Sequence, residues 1–113
     1  MKRGDIFYVD LRGARGSETD TKIRPALVIQ NDVGNKYSPV TIIAPITSFK
    51  GVGKTYPTEV FINRTESGLP DDSIVLLNQI RTVDKSRLGK KIGSLTAVKM
   101  LEVNKAIRVS LAL

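Results

Sequence analysis

The 113-residue chain contains no cysteine, no histidine and no tryptophan. Without cysteine it has no disulfide framework, no zinc–thiolate site and no thiol nucleophile. Without histidine it lacks the side chain that most often acts as general acid or base near neutral pH, so catalysis would depend on other groups. No apolar run approaches the roughly 20 residues of a membrane span, and none stands at the amino terminus as a secretion signal would. We therefore expect a cytoplasmic protein with no membrane partner.

Charge is the main signal in the composition. Lysine and arginine number 18 against 11 acidic residues, which leaves a net charge of +7, while 41% of the residues are hydrophobic and 26% are charged. Such a surplus favours a polyanionic partner, and without a membrane segment that partner is expected to be nucleic acid. The length suits one domain over residues 1–113, small enough to gain stability from dimerisation.

Short apolar segments separated by loops predict a mainly β domain. Residues 5–11 alternate as a strand with two partly buried faces does. Runs rich in valine and isoleucine, or bounded by turn residues, predict further strands at residues 25–32, 40–46, 58–62, 73–79 and 80–86. The small and polar residues of 12–22 and 47–57 predict two long loops. Several short strands in succession indicate a barrel or a sandwich.

The apolar period changes at the carboxyl end. From Thr96 to about Ala112 the spacing is that of an amphipathic helix. Thr96 is the expected N-cap, preceded by Leu95 as one half of a hydrophobic staple. The helix should close one side of the β core with a stripe formed by Met100, Val103, Ile107 and Leu111.

Six segments in order along the chain carry a family resemblance: KRGDIFYVDL, GSE, IRPALVIQND, IAPIT, DDSIVLLNQIRTVDKSRL and SLAL. Together they resemble the MazF/PemK toxins, the endoribonucleases of bacterial toxin–antitoxin pairs, and especially those of Gram-positive bacteria. The resemblance covers essentially the whole chain, although residues 48–58 depart from the expected pattern. It implies an SH3-like β-barrel with a C-terminal helix, usually a homodimer. It also implies cleavage of single-stranded RNA without metal or cofactor, under the control of a cognate antitoxin.

Arg24 stands directly before Pro25 at the predicted start of a strand. The residue before a proline is held in extended backbone, and proline itself donates no hydrogen bond. A guanidinium group can hold phosphate oxygens through two parallel hydrogen bonds. The resemblance implies that Arg24 is catalytic, together with Thr47, which ends IAPIT. From the residues alone, a solvated surface arginine and a threonine that caps a turn stay open as alternatives.

The reaction that we infer is attack by the 2′-hydroxyl of the RNA on the adjacent phosphate, which yields a 2′,3′-cyclic phosphate and a free 5′-hydroxyl. The protein would align the attack and neutralise the growing charge, tasks that suit arginine and hydroxyl donors. Arginine rarely gives up its proton, so Glu18 in GSE is the alternative for acid–base chemistry. The alternative interpretation of Glu18 is a solvated loop carboxylate without a catalytic role.

Amide, hydroxyl and cationic side chains near these motifs are candidates for RNA binding, since such groups read the edges of unstacked bases or contact phosphates. For Gln30 and Asn31, hydrogen bonding within the barrel is the alternative. Asn78 stands where close relatives are expected to carry an acid, so their cleavage consensus does not transfer. The candidates are Gln30, Asn31, Lys50, Lys54, Ser73, Asn78, Gln79 and Arg81.

Other motifs and functions compete with this interpretation. KGVGKTYP ends like a phosphate-binding P-loop, but Ser48 stands where that loop needs glycine, so we expect no nucleotide cofactor. Asp71 and Asp72 could hold Mg²⁺, but adjacent acids more often form turns, and no metal site is predicted. A gyrase poison of the CcdB type would use a carboxyl-terminal tryptophan, which this chain lacks. A non-catalytic RNA-binding barrel is the remaining alternative.

Overall fold

The computed structural model describes residues 1–12, 23–50 and 55–113. None of the helices in this part of the chain has the length and apolar character needed to cross a membrane. A short 3-10 turn, Lys85–Arg87, separates the last two strands. In chain order the elements are β1 (Asp5–Asp10), β2 (Ile23–Val28), α1 (Asp32–Tyr37), β3 (Val40–Ser48), β4 (Glu59–Ile62), α2 (Arg64–Ser67), β5 (Ser73–Leu76), β6 (Arg81–Asp84), β7 (Leu88–Ser94) and α3 (Ala97–Leu111).

Strand β3 organises the sheet because it pairs with three other strands along its length. Its first residues pair with β6, its middle with β2 and its end with β5, each time antiparallel. The order across the seven-stranded sheet is β4–β5–β3–β2–β1–β7, with β6 also on β3. No pairing joins β4 to β7 among the described residues, so the barrel is open on that side. The expected mainly β fold with a C-terminal helix is confirmed.

Helix α3 covers the larger of two apolar clusters and buries Met100, Val103 and Ala106 in it. The predicted N-cap is confirmed, since the Thr96 hydroxyl accepts the backbone N–H three residues further on at 3.2 Å. The predicted stripe is wrong at its end, because Leu111 is 49% exposed whereas Ala106 is 2% exposed. Because the helix has about 3.6 residues per turn, buried positions spaced by three residues shift gradually around its surface. Leu111 therefore lies outside the buried face.

The segment after β2 differs from its prediction. The strand expected over residues 25–32 ends at Val28, and helix α1 follows it. Asn31 caps this helix, since its carboxamide oxygen accepts the N–H of Gly34 at 2.8 Å. At the other end the N–H of Ser38 donates to the Gly34 carbonyl oxygen at 2.8 Å. A helix of 6 residues is too short to show an apolar period in the sequence.

Strand β7 is absent from the sequence-based prediction, and β5 and β6 are shorter than predicted. The β7 sequence LGKKIGS holds two glycines and two lysines, which are poor strand formers. Its pairing with β1 is irregular in register, and its end is anchored by the Ser94 hydroxyl, which donates to Asp5 Oδ1 at 2.6 Å. Burial raises the pKa of Asp5, but the hydrogen bonds from Ser94 and the backbone of Lys2 outweigh it and hold that pKa below its ordinary value of 3.8.

Candidate active site

Arg24 is the second residue of β2, and its side chain is 9% exposed. Its Nη2 atom donates to the carbonyl oxygen of Ile46 at 3.3 Å. On the other side of β2, Arg24 pairs with Val9 of β1. The extended backbone is the one that a residue before proline favours. The guanidinium group is therefore held beside the residue that precedes Thr47.

Thr47 and Ser73 come from two strands that pair with each other. Thr47 lies opposite Ile74, and Ser48 lies opposite Ser73. Thr47 is exposed, whereas Ser73 is buried and its hydroxyl donates to the backbone oxygen of Asp71 at 2.9 Å. The pairing of β3 with β5 thus brings the end of one strand and the start of the other to the same edge.

A cavity of about 280 Å³ brings three of the predicted residues together, since Arg24, Thr47 and Ser73 all line it. Tyr8 and Asp71 contribute further polar groups to its wall. We call it the central cavity. Its volume is near the lower end of the range for small-ligand sites, about 300 Å³ and above, so it suits part of a nucleotide better than a whole oligomer.

Arg24 brings a positive charge to this cavity. Among the described residues, no carboxylate oxygen lies within 4.0 Å of its guanidinium. A buried cation without a counter-ion is costly, and one hydrogen bond to a carbonyl offsets only part of that cost. An anion in the central cavity would supply the missing charge. A guanidinium and the Thr47 hydroxyl together can hold a phosphodiester and stabilise further negative charge on it.

Tyr8 and Asp71 belong to this wall, although sequence reasoning did not place them at the site. Tyr8 is 36% exposed, and it lies opposite Pro25 in the pairing of β1 with β2. An aromatic residue on the outward face of β1, beside the buried Val9, was the available signal. Asp71 was considered only as a metal ligand. It reaches the cavity because β5 begins two residues later with Ser73, opposite the end of β3.

Two RNA-binding candidates use their side chains within the fold. Gln30 Nε2 donates to Asn35 Oδ1 at 3.2 Å and to the Val40 carbonyl oxygen at 3.0 Å. The Asn31 side chain caps α1. Neither residue lines the central cavity. These contacts match the alternative of hydrogen bonding within the barrel.

Three further candidates lie near one another but outside the central cavity. Asn78 and Gln79 are exposed in the connection between β5 and β6. Arg81 is half-buried at the start of β6, where it pairs with Ile43 of β3. The exposed amide groups of Asn78 and Gln79 are therefore within reach of a ligand that extends past the central cavity.

The remaining predictions are distributed differently. Lys50 is exposed just after β3 and lines a second cavity. The predictions for Glu18 and Lys54 fall outside the described residues. Asp71 and Asp72 belong to no metal-binding cluster in the described part of the chain, which contains no group of three or more His, Cys, Asp or Glu side chains placed to hold a metal ion.

The chain is similar to known proteins over nearly its whole length. A family model for the "PemK-like, MazF-like toxin of type II toxin-antitoxin system" matches residues 2–111. The chain is 50% identical over 113 residues to "Endoribonuclease MazF" of Staphylococcus saprophyticus, covering 100% of this chain and 92% of that protein. The protein of the same name from Staphylococcus epidermidis is 46% identical over 114 residues with the same coverage. A solved "Endoribonuclease in complex with its cognate antitoxin from Mycobacterial species" superposes with a TM-score of 0.79 at 25% identity, over 100% of this chain and 96% of that one.

Proposed function

Because this chain belongs to the family of PemK-like, MazF-like toxins of type II toxin–antitoxin systems, we propose that it is an endoribonuclease that cuts single-stranded RNA at selected sequences. Residues 1–113 form the single toxin domain. The observation that supports this most is the buried Arg24 guanidinium, which lines the central cavity next to Thr47 and has no carboxylate partner within the described residues. A phosphodiester is the anion that would complete it.

In the proposed reaction the RNA supplies its own nucleophile. The 2′-hydroxyl oxygen forms a bond to the adjacent phosphorus, and the bond from phosphorus to O5′ breaks. The 2′-hydroxyl loses its proton, and O5′ gains one. The products are a 2′,3′-cyclic phosphate and a 5′-hydroxyl, and neither water nor a cofactor is consumed. DNA lacks the attacking hydroxyl, so it is not a substrate.

Arg24 and Thr47 stabilise the charge that grows on the non-bridging phosphate oxygens. The guanidinium donates two parallel hydrogen bonds and the hydroxyl donates one. Losing one donor of this kind typically lowers the rate by about 10²–10³. Glu18 moves the proton, because a guanidinium pKa above about 12 keeps arginine charged. Asp71, which lines the central cavity, is the alternative residue for moving the proton.

Sequence selection uses groups around the central cavity. Hydroxyl, amide and guanidinium side chains read base edges, while lysines contact phosphates. Gln30 acts behind them by joining α1 to β3, and Asn31 acts by capping α1, as their internal hydrogen bonds indicate. The residues proposed to contact RNA are Lys50, Lys54, Ser73, Asn78, Gln79 and Arg81.

We further propose that the toxin is a homodimer and that a cognate acidic antitoxin neutralises it in the cytoplasm, where its RNA substrates lie. A second copy is supported by apolar side chains that α3 leaves on the surface, with Val98 at 74% and Leu101 at 67% exposed. An acidic partner is supported by the net charge of +7. Such an inhibitor would be partly disordered when free and would fold on contact.

Cleavage of a long single-stranded RNA in EDTA, with mapping of the cut ends, tests the proposed activity. We expect cuts at a recurrent sequence, with Arg24→Ala and Thr47→Ala at least 100-fold slower. The control is Thr82→Ala, an exposed threonine on β6 outside the central cavity. Activity lost in EDTA and restored by Mg²⁺ would contradict the metal-free mechanism. RNA that is bound but never cut would mean that the protein is a non-catalytic RNA-binding barrel.

Competition between RNA and antitoxin tests how the enzyme is silenced. If the inhibitor fills the path of the substrate, an uncleavable RNA added at a saturating concentration should weaken the apparent affinity of the toxin for the antitoxin. An unchanged affinity would replace direct occlusion with an effect on dimer or loop geometry.

A further inference from the structure

A second cavity, of about 470 Å³, adjoins the central cavity. The two share Ser48 and Asp71 in their walls, so a ligand that occupies one of them lies next to the other. We call it the flanking cavity. Its other wall residues are Phe49, Lys50, Arg64 and Asp72.

The walls of the flanking cavity are held together by backbone hydrogen bonds. The N–H of Phe49 donates to the Asp72 carbonyl oxygen at 2.8 Å. The N–H of Arg64 donates to Asp72 Oδ1 at 2.9 Å. Asp72 thereby joins the end of β3 to the start of α2, and the side chains that the two elements present keep a fixed separation.

Two cations of this cavity are available to a ligand. Lys50 and Arg64 are both exposed. Within residues 1–12, 23–50 and 55–113, no carboxylate oxygen lies within 4.0 Å of either charged group. An arginine on a short helix and a lysine after a strand can therefore converge on one phosphate between them.

The cavity also offers an aromatic face. Phe49 is half-buried, and its ring meets that of Phe61 edge to face, with centroids 5.3 Å apart and planes at 76°. This contact packs the two rings against each other, and Phe49 stays partly exposed. Unstacked bases bind to such rings largely regardless of their sequence.

On the basis of the proposed ribonuclease function, we propose that the flanking cavity binds the nucleotide next to the one at the cut. Its base stacks on Phe49, and its phosphate lies between Lys50 and Arg64. The carboxylates of Asp71 and Asp72 accept hydrogen bonds only, so they favour a base that presents an amino group. A nucleotide offers both a base for the Phe49 ring and a phosphate for Lys50 and Arg64, a combination that an acidic peptide lacks, which makes RNA the better occupant.

Short RNAs built around a mapped cut site test this subsite. The RNAs are lengthened by one nucleotide at a time on the 5′ or the 3′ side, and kcat/KM is measured for each. In the wild type, one added nucleotide should raise kcat/KM by about tenfold, as expected for one stacked base and its phosphate contact. Arg64→Gln should lower that gain several-fold and leave the gain from every other added nucleotide unchanged.

The matched control is Lys90→Gln, which removes one exposed positive charge from β7, outside both cavities. It should keep every gain at the wild-type value. With an RNA that carries a 2′-deoxy sugar at the cut, Arg64→Gln should also reduce the slope of log affinity against log salt by about 0.7, the change expected for one lost phosphate contact on a single strand.

The outcomes separate the two proposals. A wild type that cuts no RNA refutes the proposed function and this inference together. A wild type that cuts RNA, with Arg64→Gln lowering no gain or all gains equally, refutes the subsite alone. If Arg64→Gln cuts every RNA like the wild type but binds the antitoxin more weakly, the flanking cavity belongs to the protein partner and the inference is wrong.

Discussion

Replacing Arg24 by methionine should abolish RNA cleavage and at the same time stabilise the fold. Arg24 is 9% exposed, and its guanidinium donates one hydrogen bond, of 3.3 Å, within the described part of the protein. The effective penalty for burying an ion is several kcal/mol, while a hydrogen bond to a charged group returns about 1.5–3 kcal/mol. In the absence of RNA, the balance should therefore be unfavourable to the arginine.

Methionine keeps most of the apolar contacts of the arginine stem and carries no charge to bury. We expect the free energy of unfolding to rise by about 1–2 kcal/mol, which follows from the difference between the two terms. For a domain of this size, 1 kcal/mol raises Tm by about 5 °C. Thermal unfolding followed by circular dichroism, with and without denaturant, measures the change.

Arg108→Met is the control, because Arg108 is exposed in the last turn of α3 and bears the same charge. There the substitution should leave stability unchanged or lower it slightly, since a cation near the helix carboxyl end is favourable. A loss of more than about 1 kcal/mol in Arg24→Met, on the scale of a buried hydrogen bond, would mean that Arg24 stabilises the barrel through Ile46. The functional argument would then lose its main support.

Arg24→Lys should cut RNA nearly as slowly as Arg24→Ala, because an ammonium group lacks the two-pronged geometry; near-normal turnover in a cleavage assay would mean that charge alone suffices. Burial opposes ionisation of Asp5, but hydrogen bonds hold its pKa below 3.8. The stabilising contribution of Asp5 should therefore be complete above about pH 4 and disappear as the pH falls through the folded-state pKa. Asp5→Asn should flatten the loss of unfolding free energy at acid pH, measured by urea denaturation, and an unchanged loss would contradict this prediction. A Cβ at Gly93 would stand 2.5 Å from the Ser67 carbonyl oxygen, whereas one at Gly89 meets its nearest atom at 3.4 Å. Gly93→Ala should therefore lower the unfolding free energy by about 1–3 kcal/mol, and Gly89→Ala should lower it by much less. Equal losses in the two variants would refute the steric argument.

The strands with strong apolar signals were predictable from the sequence. β2 and β3 are rich in valine and isoleucine, and their cores match the predicted runs. The Thr96 cap and the start of α3 also follow local rules that act within one helical turn. In these segments local preference and tertiary packing agree.

The errors arise where tertiary contacts override local preference. β7 is a strand only because β1 pairs with it and Ser94 binds Asp5, contacts that span most of the chain. Helix α1 depends on the Asn31 cap and on Asn35, whose side chain donates to the Gln30 carbonyl oxygen at 2.9 Å. Such polar contacts leave no periodic apolar pattern to detect.

The candidate site shows the same division. Arg24 and Thr47 follow from the family resemblance, and their shared cavity agrees with it. Tyr8 and Asp71 enter the wall only through the pairing of β1 with β2 and of β3 with β5. Arg64 becomes relevant only because Asp72 joins the start of α2 to β5 and to the end of β3. Those positions depend on register, which the sequence does not specify by itself.

The most direct test of the central claim is a single-atom change in the substrate. An RNA containing one mapped cut site is made with a 2′-deoxy sugar only at the nucleotide whose hydroxyl should attack, and its cleavage is followed beside the all-ribose RNA by mass spectrometry. We predict that the deoxy RNA is bound but not cut, and that the all-ribose RNA yields a 2′,3′-cyclic phosphate and a 5′-hydroxyl. Cleavage of the deoxy RNA at a comparable rate, or a product with a 5′-phosphate, would contradict the account.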